Sequence, residues 1–305
     1  MKIRVNDTEL YVDVEGPQLH VDGDRWAERQ TILVLHGGPG FDQGYLRPGL
    51  GALSRDAQLV FVDLRGQGRS GRPPVHTCTL EQMAEDVAAL CEQLGIERPV
   101  LFGHSAGGFV ALHLALRHPD LVGGLILCNT APTLAPMHDE NPPPTLAERA
   151  PAEAVEVAAR LFGGDFSPGT VDAFNRSVAP YYAGPQHMGL PGRLLALSDF
   201  TTDVAQYFFG VLAAGYDLRP QLSDISAPTL VIVGRHDWVC PPVAGRTLAA
   251  GIPGARLTEI PEAGHFVFSE EPSAFLHAVR DFLDRLRTTP VHNRSGHVGE
   301  RAVHR

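Results

Sequence analysis

Residues 103–108 read Gly-His-Ser-Ala-Gly-Gly, and they directly follow the apolar run Val100-Leu101-Phe102. Glycines two positions before and after a serine allow a turn so sharp that a β-carbon at either position would collide with the opposite arm. An apolar helical pattern begins directly after the turn. This succession of strand, turn and helix is typical of a nucleophile elbow, which exposes the serine hydroxyl. The sequence therefore predicts that Ser105 is a nucleophile.

Short apolar runs on both sides of this stretch have the character of buried strands in a parallel sheet. They lie at residues 31–35, 59–62, 100–102, 125–128, 229–233 and 257–260. Helical patterns alternate with them, most clearly at 80–94, where Thr79 precedes the helix and Gly95 ends it. A last amphipathic helix is predicted over 273–286. This alternation predicts the α/β class, with a mostly parallel sheet flanked by helices.

The alternation stops between residues 131 and 215, where helical patterns and a proline cluster occur without a convincing strand. We interpret residues 131–215 as a helical cap inserted above the carboxyl edge of the sheet. The core then comprises residues 1–130 and 216–286. Residues 287–305 are polar and aperiodic, which predicts a disordered tail.

Composition narrows the class of protein. The 305 residues are 44% hydrophobic, as in globular proteins with a sizeable core, and the net charge is −10. This charge disfavours binding to nucleic acid and to anionic membrane surfaces. The amino terminus lacks the apolar stretch of a signal peptide, no run is long enough to span a membrane, and the four cysteines are widely spaced. We expect a cytoplasmic protein with free thiols and no nucleic-acid or membrane partner.

A serine nucleophile needs a general base, and the base needs an acid that orients it. After an elbow of this kind, the acid and then the histidine follow the serine in the chain, each just past a strand. Asp237 follows the strand at 229–233, and His265 follows the strand at 257–260. We therefore predict that His265 is the general base and Asp237 the orienting acid. Two other carboxylates remain alternatives for the acid: Asp224 and Glu262.

A glycine-rich loop, His36-Gly37-Gly38-Pro39-Gly40, follows the strand at 31–35. An oxyanion hole needs two backbone N–H groups directed at the developing negative charge. We assign these donors to Gly38 and to Ala106, the residue after the nucleophile, and we expect His36 to orient the loop. The loop lacks the Gly-Lys-Ser/Thr ending of a phosphate-binding loop, and no cluster has metal-ligand spacing. No cofactor and no metal are expected.

Four motifs resemble those of the α/β-hydrolase superfamily and, within it, of the proline iminopeptidase family. They are His-Gly-Gly-Pro-Gly (36–40), Asp-x-Arg-Gly-x-Gly-x-Ser (63–70), Gly-Arg-x-Asp…Pro-Pro (234–242) and Gly-His-Phe (264–266). The resemblance to the superfamily extends along nearly the whole chain to about residue 286. The elbow differs, because proline iminopeptidases typically carry Gly-Gly-Ser-Trp-Gly there. Gly-His-Ser-Ala-Gly is shared with esterases, enol-lactone hydrolases and cofactor-free perhydrolases.

The resemblance implies that an acidic side chain of the cap binds the free amino terminus of a substrate. Nothing in the sequence selects one acid, and the candidates are Asp139, Glu140, Glu148, Glu153, Glu156 and Asp165. Of these we retain Glu153 and Glu156 as cap candidates for substrate binding. Cap aromatics, including Phe162 and Tyr207, are candidates to line an apolar pocket. An aromatic at helical spacing more often belongs to a core, so we expect only a few of them to touch the substrate.

The sequence thus predicts a serine hydrolase that acts through an acyl-enzyme on a small molecule or short peptide. The first choice is release of an N-terminal residue from small peptides or amides, as the resemblance to proline iminopeptidases implies. The alternative is a carboxylesterase or lactonase for a small apolar ester. A non-hydrolytic biosynthetic enzyme and a small-molecule receptor on the same fold are less favoured. The predicted triad argues against a receptor, because a receptor need not keep all three of these groups.

Overall fold

An eight-stranded, mostly parallel sheet forms the centre of the computed structural model, which describes residues 1–22 and 25–288. The strands of the described residues are, in chain order, β1 (Lys2–Val5), β2 (Thr8–Glu15), β3 (Leu19–Asp22), β4 (Arg25–Glu28), β5 (Thr31–Leu35), β6 (Gln58–Asp63), β7 (Val100–His104), β8 (Gly124–Cys128), β9 (Thr229–Gly234) and β10 (Arg256–Ile260). Their order across the sheet is β1-β2-β6-β5-β7-β8-β9-β10. The strands from β6 to β10 pair in parallel, whereas β2 pairs antiparallel with both β1 and β6. Strands β3 and β4 pair antiparallel in a separate two-stranded sheet.

Helices flank both faces of this sheet. In chain order they are α1 (Arg47–Leu50), α2 (Leu80–Leu94), α3 (Ala106–Arg117), α4 (Leu146–Arg149), α5 (Ala152–Phe162), α6 (Pro168–Ser177), α7 (Leu190–Leu195), α8 (Thr202–Tyr207), α9 (Pro242–Gly251), α10 (Val267–Glu270) and α11 (Pro272–Thr288). The predicted helix at 80–94 has the predicted bounds. The Thr79 hydroxyl caps its first turn, and Gly95 ends it in the left-handed conformation.

The strand sequences are continuously apolar because both faces of the sheet are covered. Leu101 belongs to the core formed with α2 and α3, whereas its neighbour Phe102 belongs to the core formed with α11. Val34 and Leu35 divide between the two cores in the same way. This double burial holds the carboxyl ends of the central strands in fixed positions, and the loops that follow them carry the site.

The segment we propose as the cap, residues 131–215, contains α4 to α8 and no strand of the sheet. It has a small apolar core of its own, to which Leu161 and Phe174 contribute. The last helix continues through Thr288, so the first two residues of the predicted tail are helical. The rest of that tail, residues 289–305, lies outside the described residues. Within the part of the chain that the structure describes, no helix combines the length and apolar character required to cross a membrane.

Candidate active site

Ser105 occupies the turn between β7 and α3, with φ 51° and ψ −123°. A positive φ is rare for a residue with a side chain, and it marks backbone strain. The flanking glycines are required sterically, as the sequence predicts. A β-carbon on Gly103 would lie 2.6 Å from Gly108 Cα, and one on Gly107 would lie 2.2 Å from the Leu35 carbonyl oxygen. The turn therefore holds the Ser105 side chain at the end of the strand, where it lines a cavity.

His265 and Asp237 meet beside this turn, in the loops that follow β10 and β9. His265 Nδ1 lies 2.7 Å from Asp237 Oδ2. The other carboxylate oxygen of Asp237 accepts the N–H groups of Val239 and Cys240 at 2.9 and 3.0 Å. Asp237 is fully buried, and His265 lines the same cavity as Ser105. The structure therefore brings the three predicted triad residues to one place.

The two alternative acids do not reach the site. Asp224 and Glu262 are both exposed, and no hydrogen bond joins either of them to His265 among the described residues. The Glu262 carboxylate instead accepts a hydrogen bond from the Gln186 amide at 2.9 Å. Asp237 is therefore the acid that the geometry supports.

Asn129, which the sequence analysis did not consider, directly follows β8 and supports Asp237. Its side-chain amide donates to Asp237 Oδ2 at 2.8 Å and to the Gly264 carbonyl at 3.0 Å. Its φ of 46° is one that asparagine tolerates better than most residues. Asn129 thus ties the acid to the residue before His265. The sequence signal that could have identified Asn129 is a polar residue placed directly after a buried strand.

The loop at 36–40 provides an oriented donor next to Ser105. The Gly38 N–H has no acceptor among the described residues, and the Ala106 N–H is the first of α3, so it has no acceptor within the helix. His36 Nε2 accepts the Leu64 N–H at 3.0 Å, so its Nδ1 carries the proton and donates to the Gly37 carbonyl at 2.9 Å. Burial lowers the pKa of His36 and keeps it neutral. Because a peptide is planar, holding the Gly37 C=O also fixes the direction of the Gly38 N–H.

Glu270 is a buried carboxylate that the sequence analysis also missed. Its Oε2 accepts the N–H groups of Gly184 and Gly264 at 2.7 and 2.8 Å, and its Oε1 accepts that of Phe266 at 2.8 Å. Burial raises the pKa of Glu270. The His265 N–H donates to the Tyr182 carbonyl at 2.7 Å. These bonds hold the histidine loop against the cap segment at 182–184.

Replacing Glu270 with glutamine is expected to weaken the hydrogen bonds that hold the His265 loop. A neutral amide offers one acceptor oxygen where the carboxylate offers two, so a buried N–H loses its partner at a cost of about 1–3 kcal/mol. We expect a lower unfolding midpoint in urea and a lower kcat, because the His265 loop loosens. The matched control is Glu271→Gln, since Glu271 is a part-exposed neighbour that pairs with His187. Equal midpoints and kcat for the two variants would contradict this role.

A cavity of about 410 Å³ opens above Ser105, between the sheet edge and the cap. Most of its lining is apolar, and the described residues that line it include no aspartate, glutamate, lysine or arginine. Its aromatic lining consists of Phe41, Tyr45, Phe109, Phe162, Phe166, Phe174, Tyr182, Phe200, Phe208, Phe209, Trp238 and Phe266. One side-chain amide, that of Asn175 on α6, also faces it. The chamber is suited to an uncharged, apolar ligand.

The cap candidates divide into one that reaches the cavity and three that do not. Phe162 lines the cavity. The Tyr207 hydroxyl instead donates to the His76 carbonyl at 3.2 Å. Glu153 and Glu156 are exposed, because α5 turns its other face, with Val157 and Leu161, toward the apolar core. These three residues are therefore withdrawn as substrate contacts.

The remaining acidic candidates of the cap also lie away from the cavity. The described residues that line the cavity include none of these four acids, which are Asp139, Glu140, Glu148 and Asp165. Asp139 pairs with Arg246, and the Glu148 carboxylate accepts the Thr145 N–H as part of a helix cap. Among the described residues, no cap carboxylate therefore lines the cavity where it could bind a substrate's amino group.

Comparison with known proteins identifies relatives along most of the chain. A family model described as "alpha/beta hydrolase fold" matches residues 30–272. A putative carbamate hydrolase RutD from Rhizobium rhizogenes is 31% identical over 255 residues, which are 82% of this chain and 92% of that protein. The proline iminopeptidase PfmaB from Pestalotiopsis fici is 26% identical over 290 residues, 93% and 99% of the two chains. A thermophilic esterase from Thermogutta terrifontis superposes with a TM-score of 0.71 at 28% identity, covering 94% and 99% of the chains.

Proposed function

The chain belongs to the α/β-hydrolase family, and from that premise we propose that it is a serine hydrolase of small, uncharged, largely apolar esters or lactones. Ser105 Oγ attacks the acyl carbon while His265 Nε2 takes its proton, and Asp237 stabilises the resulting imidazolium. The N–H groups of Gly38 and Ala106 bind the oxyanion. His265 then protonates the leaving alkoxide. A water molecule, deprotonated by His265, releases the acid and restores Ser105.

The lining of the cavity is the observation that carries this choice of substrate. A substrate cleaved at its N-terminal residue would bring an ammonium group into the chamber. Burying a charge without a partner costs several kcal/mol, and no carboxylate of the described residues lines this cavity. The uncharged ester that the sequence analysis held as an alternative is therefore favoured over the aminopeptidase reaction.

The same lining indicates what the substrate carries besides the scissile bond. Aromatic rings on several sides favour an acyl or alcohol group that is itself apolar or aromatic. The Asn175 amide has no hydrogen-bond partner among the described residues and can bind one neutral polar atom of the ligand. The similarity to an esterase supports this assignment.

Release of an N-terminal residue remains a second candidate. The resemblance of the His-Gly-Gly-Pro-Gly loop to proline iminopeptidases and the similarity to PfmaB favour it. The two candidates differ in one requirement, because the aminopeptidase must bind a positively charged amine and the esterase must not.

A substrate panel separates the two. We expect hydrolysis of p-nitrophenyl butyrate and of p-nitrophenyl phenylacetate. Prolyl- and alanyl-β-naphthylamide should react with a kcat/KM at least ~10²-fold lower, since an unpaired buried ammonium costs several kcal/mol. As the control, p-nitrophenyl 4-(trimethylammonio)butyrate adds only a quaternary ammonium group to the butyrate ester and should also react poorly. Faster turnover of the free-amine naphthylamides than of the esters would contradict the proposal.

A further inference from the structure

A buried chain of hydrogen bonds joins the loop at 36–40 to the loop of His265. The Gly37 N–H donates to Tyr45 Oη at 2.7 Å. Tyr45 Oη lies 2.7 Å from His104 Nδ1, and His104 Nε2 lies 2.8 Å from the His265 carbonyl oxygen. Tyr45 and His104 are 2% and 1% exposed, so these bonds are shielded from bulk solvent. This chain of hydrogen bonds passes directly beneath the elbow, because His104 precedes Ser105.

Only one arrangement of protons satisfies the whole chain. The His265 carbonyl can only accept, so His104 Nε2 must carry a proton. Tyr45 Oη already accepts the Gly37 N–H, so its own proton goes to His104 Nδ1. Burial raises the pKa of Tyr45 and lowers that of His104, so the phenol stays protonated and the imidazole stays neutral. Every donor therefore points the same way, from Gly37 toward His265.

The proposed oxyanion donor is the next peptide along the loop. Gly37 is held at its N–H by Tyr45 and at its carbonyl by His36, and this carbonyl shares a peptide plane with the Gly38 N–H. The approach is close as well, since a β-carbon on Gly37 would lie 2.9 Å from the Tyr45 hydroxyl and 2.8 Å from Ser105 Cβ. Loss of the Tyr45 hydroxyl would therefore free the His36–Gly37 peptide, which directly precedes the peptide that carries the Gly38 N–H.

The other end of this chain of hydrogen bonds holds the loop of the proposed general base, His265. The His265 backbone is held at its N–H by the Tyr182 carbonyl and at its carbonyl by His104. Its imidazole packs edge-on against the Tyr182 ring, with centroids 5.5 Å apart, and at a tilt against the His104 ring, with centroids 4.7 Å apart. Movement of His104 would therefore shift the base relative to Ser105.

From this geometry, and resting on the serine-hydrolase reaction proposed above, we propose that Tyr45 and His104 are positioning residues. They hold the oxyanion donor of Gly38 and the general base His265 at a fixed separation on either side of Ser105. Both polar atoms of His104 and the hydroxyl of Tyr45 are used within the protein, so neither residue is assigned a bond to the substrate. The triad residues alone do not set this separation, because Gly38 belongs to a different loop.

The test compares Tyr45→Phe, which removes one hydroxyl, with wild type. Active sites are titrated with a fluorophosphonate, so that kcat refers to folded, reactive enzyme. We expect kcat on p-nitrophenyl butyrate to fall about 10- to 100-fold, because a displaced donor loses much of its effect in the transition state. KM should change little. Affinity for a trifluoromethyl ketone, which forms an oxyanion with Ser105, should fall in parallel, while affinity for the matching methyl ketone should stay the same.

His104 is tested by a pair of variants and a control. In His104→Gln the side-chain amide can still donate toward His265 and accept from Tyr45, whereas His104→Leu can do neither. The glutamine variant should therefore retain several-fold more kcat than the leucine variant. The control is Tyr207→Phe, which removes a phenol hydroxyl outside the cavity and should leave kcat unchanged.

The outcomes distinguish this inference from the proposed function. A wild-type protein that neither reacts with the fluorophosphonate nor hydrolyses esters would overturn both. An active wild type with unchanged kcat in Tyr45→Phe, or with equal activity in the two His104 variants, would overturn the positioning role alone. A loss of stability in Tyr45→Phe, with unchanged kcat per titrated site and unchanged trifluoromethyl ketone affinity, would also overturn it.

Discussion

Replacement of Ser105 by alanine is expected to lower kcat/KM for ester hydrolysis by about 10⁵–10⁶-fold, as in other hydrolases that lose their nucleophile. The strained turn places this hydroxyl at the end of β7, in the same cavity as His265. Neighbouring side chains offer no equivalent nucleophile. The Tyr45 hydroxyl is occupied by Gly37 and His104, and burial raises the pKa of the Cys240 thiol, so it stays protonated.

The variant should fold and bind as the wild type does. Alanine is smaller than serine and adds no atom to the turn, so the unfolding midpoint should change little. Affinity for the acid product should also be retained, because the cavity lining is otherwise unaltered. The matched control is Ser223→Ala, an exposed serine away from the cavity, which should keep full activity. Near-wild-type turnover by Ser105→Ala would refute the nucleophile assignment.

Replacement of Asp237 by asparagine is expected to lower kcat by about 10⁴-fold, because the base then adopts the wrong tautomer. Oδ1 accepts two backbone N–H groups, and Oδ2 accepts His265 Nδ1 and the Asn129 amide. The NH₂ group of an asparagine would therefore face hydrogen-bond donors in either orientation. If it faces Val239 and Cys240, it meets two backbone N–H groups. If it faces His265, it drives the imidazole proton from Nδ1 to Nε2, and Nε2 can then no longer receive the proton from Ser105.

The appropriate control for Asp237→Asn is Asp224→Asn. Asp224 is exposed and was the alternative acid, so its amide should leave kcat within a factor of about two, as surface changes usually do. Both proteins should show the same near-ultraviolet circular dichroism. A kcat for Asp237→Asn within tenfold of wild type, or a large loss in Asp224→Asn, would reverse the assignment of the acid.

The fold was predictable because its evidence is local in the sequence. Each central strand is a continuous apolar run, since residues such as Leu101 and Phe102 are buried on opposite faces of the sheet. The other signals also lie within a few residues of the feature they predict. They are the glycines around Ser105, and Thr79 and Gly95 at the two ends of α2. The predicted α/β-hydrolase fold is confirmed by the sheet and by the family match over residues 30–272.

The supporting residues of the site were not predictable in the same way. Glu270 and Asn129 act through hydrogen bonds to residues brought together only by folding, and each looks like an ordinary polar residue in the sequence. Tyr45 meets His104 across 59 positions of the chain. For the cap, sequence analysis could name acidic residues but not the direction each would face. Burial of one side of α5 turned Glu153 and Glu156 toward solvent.

The most direct test of the account is to map the site of covalent reaction. The full chain is treated with a fluorophosphonate, digested, and analysed by mass spectrometry. We predict one phosphonyl group, on Ser105, absent from Ser105→Ala and formed much more slowly in Asp237→Asn. An unlabelled wild-type protein, or a phosphonyl group on a residue other than Ser105, would contradict the account.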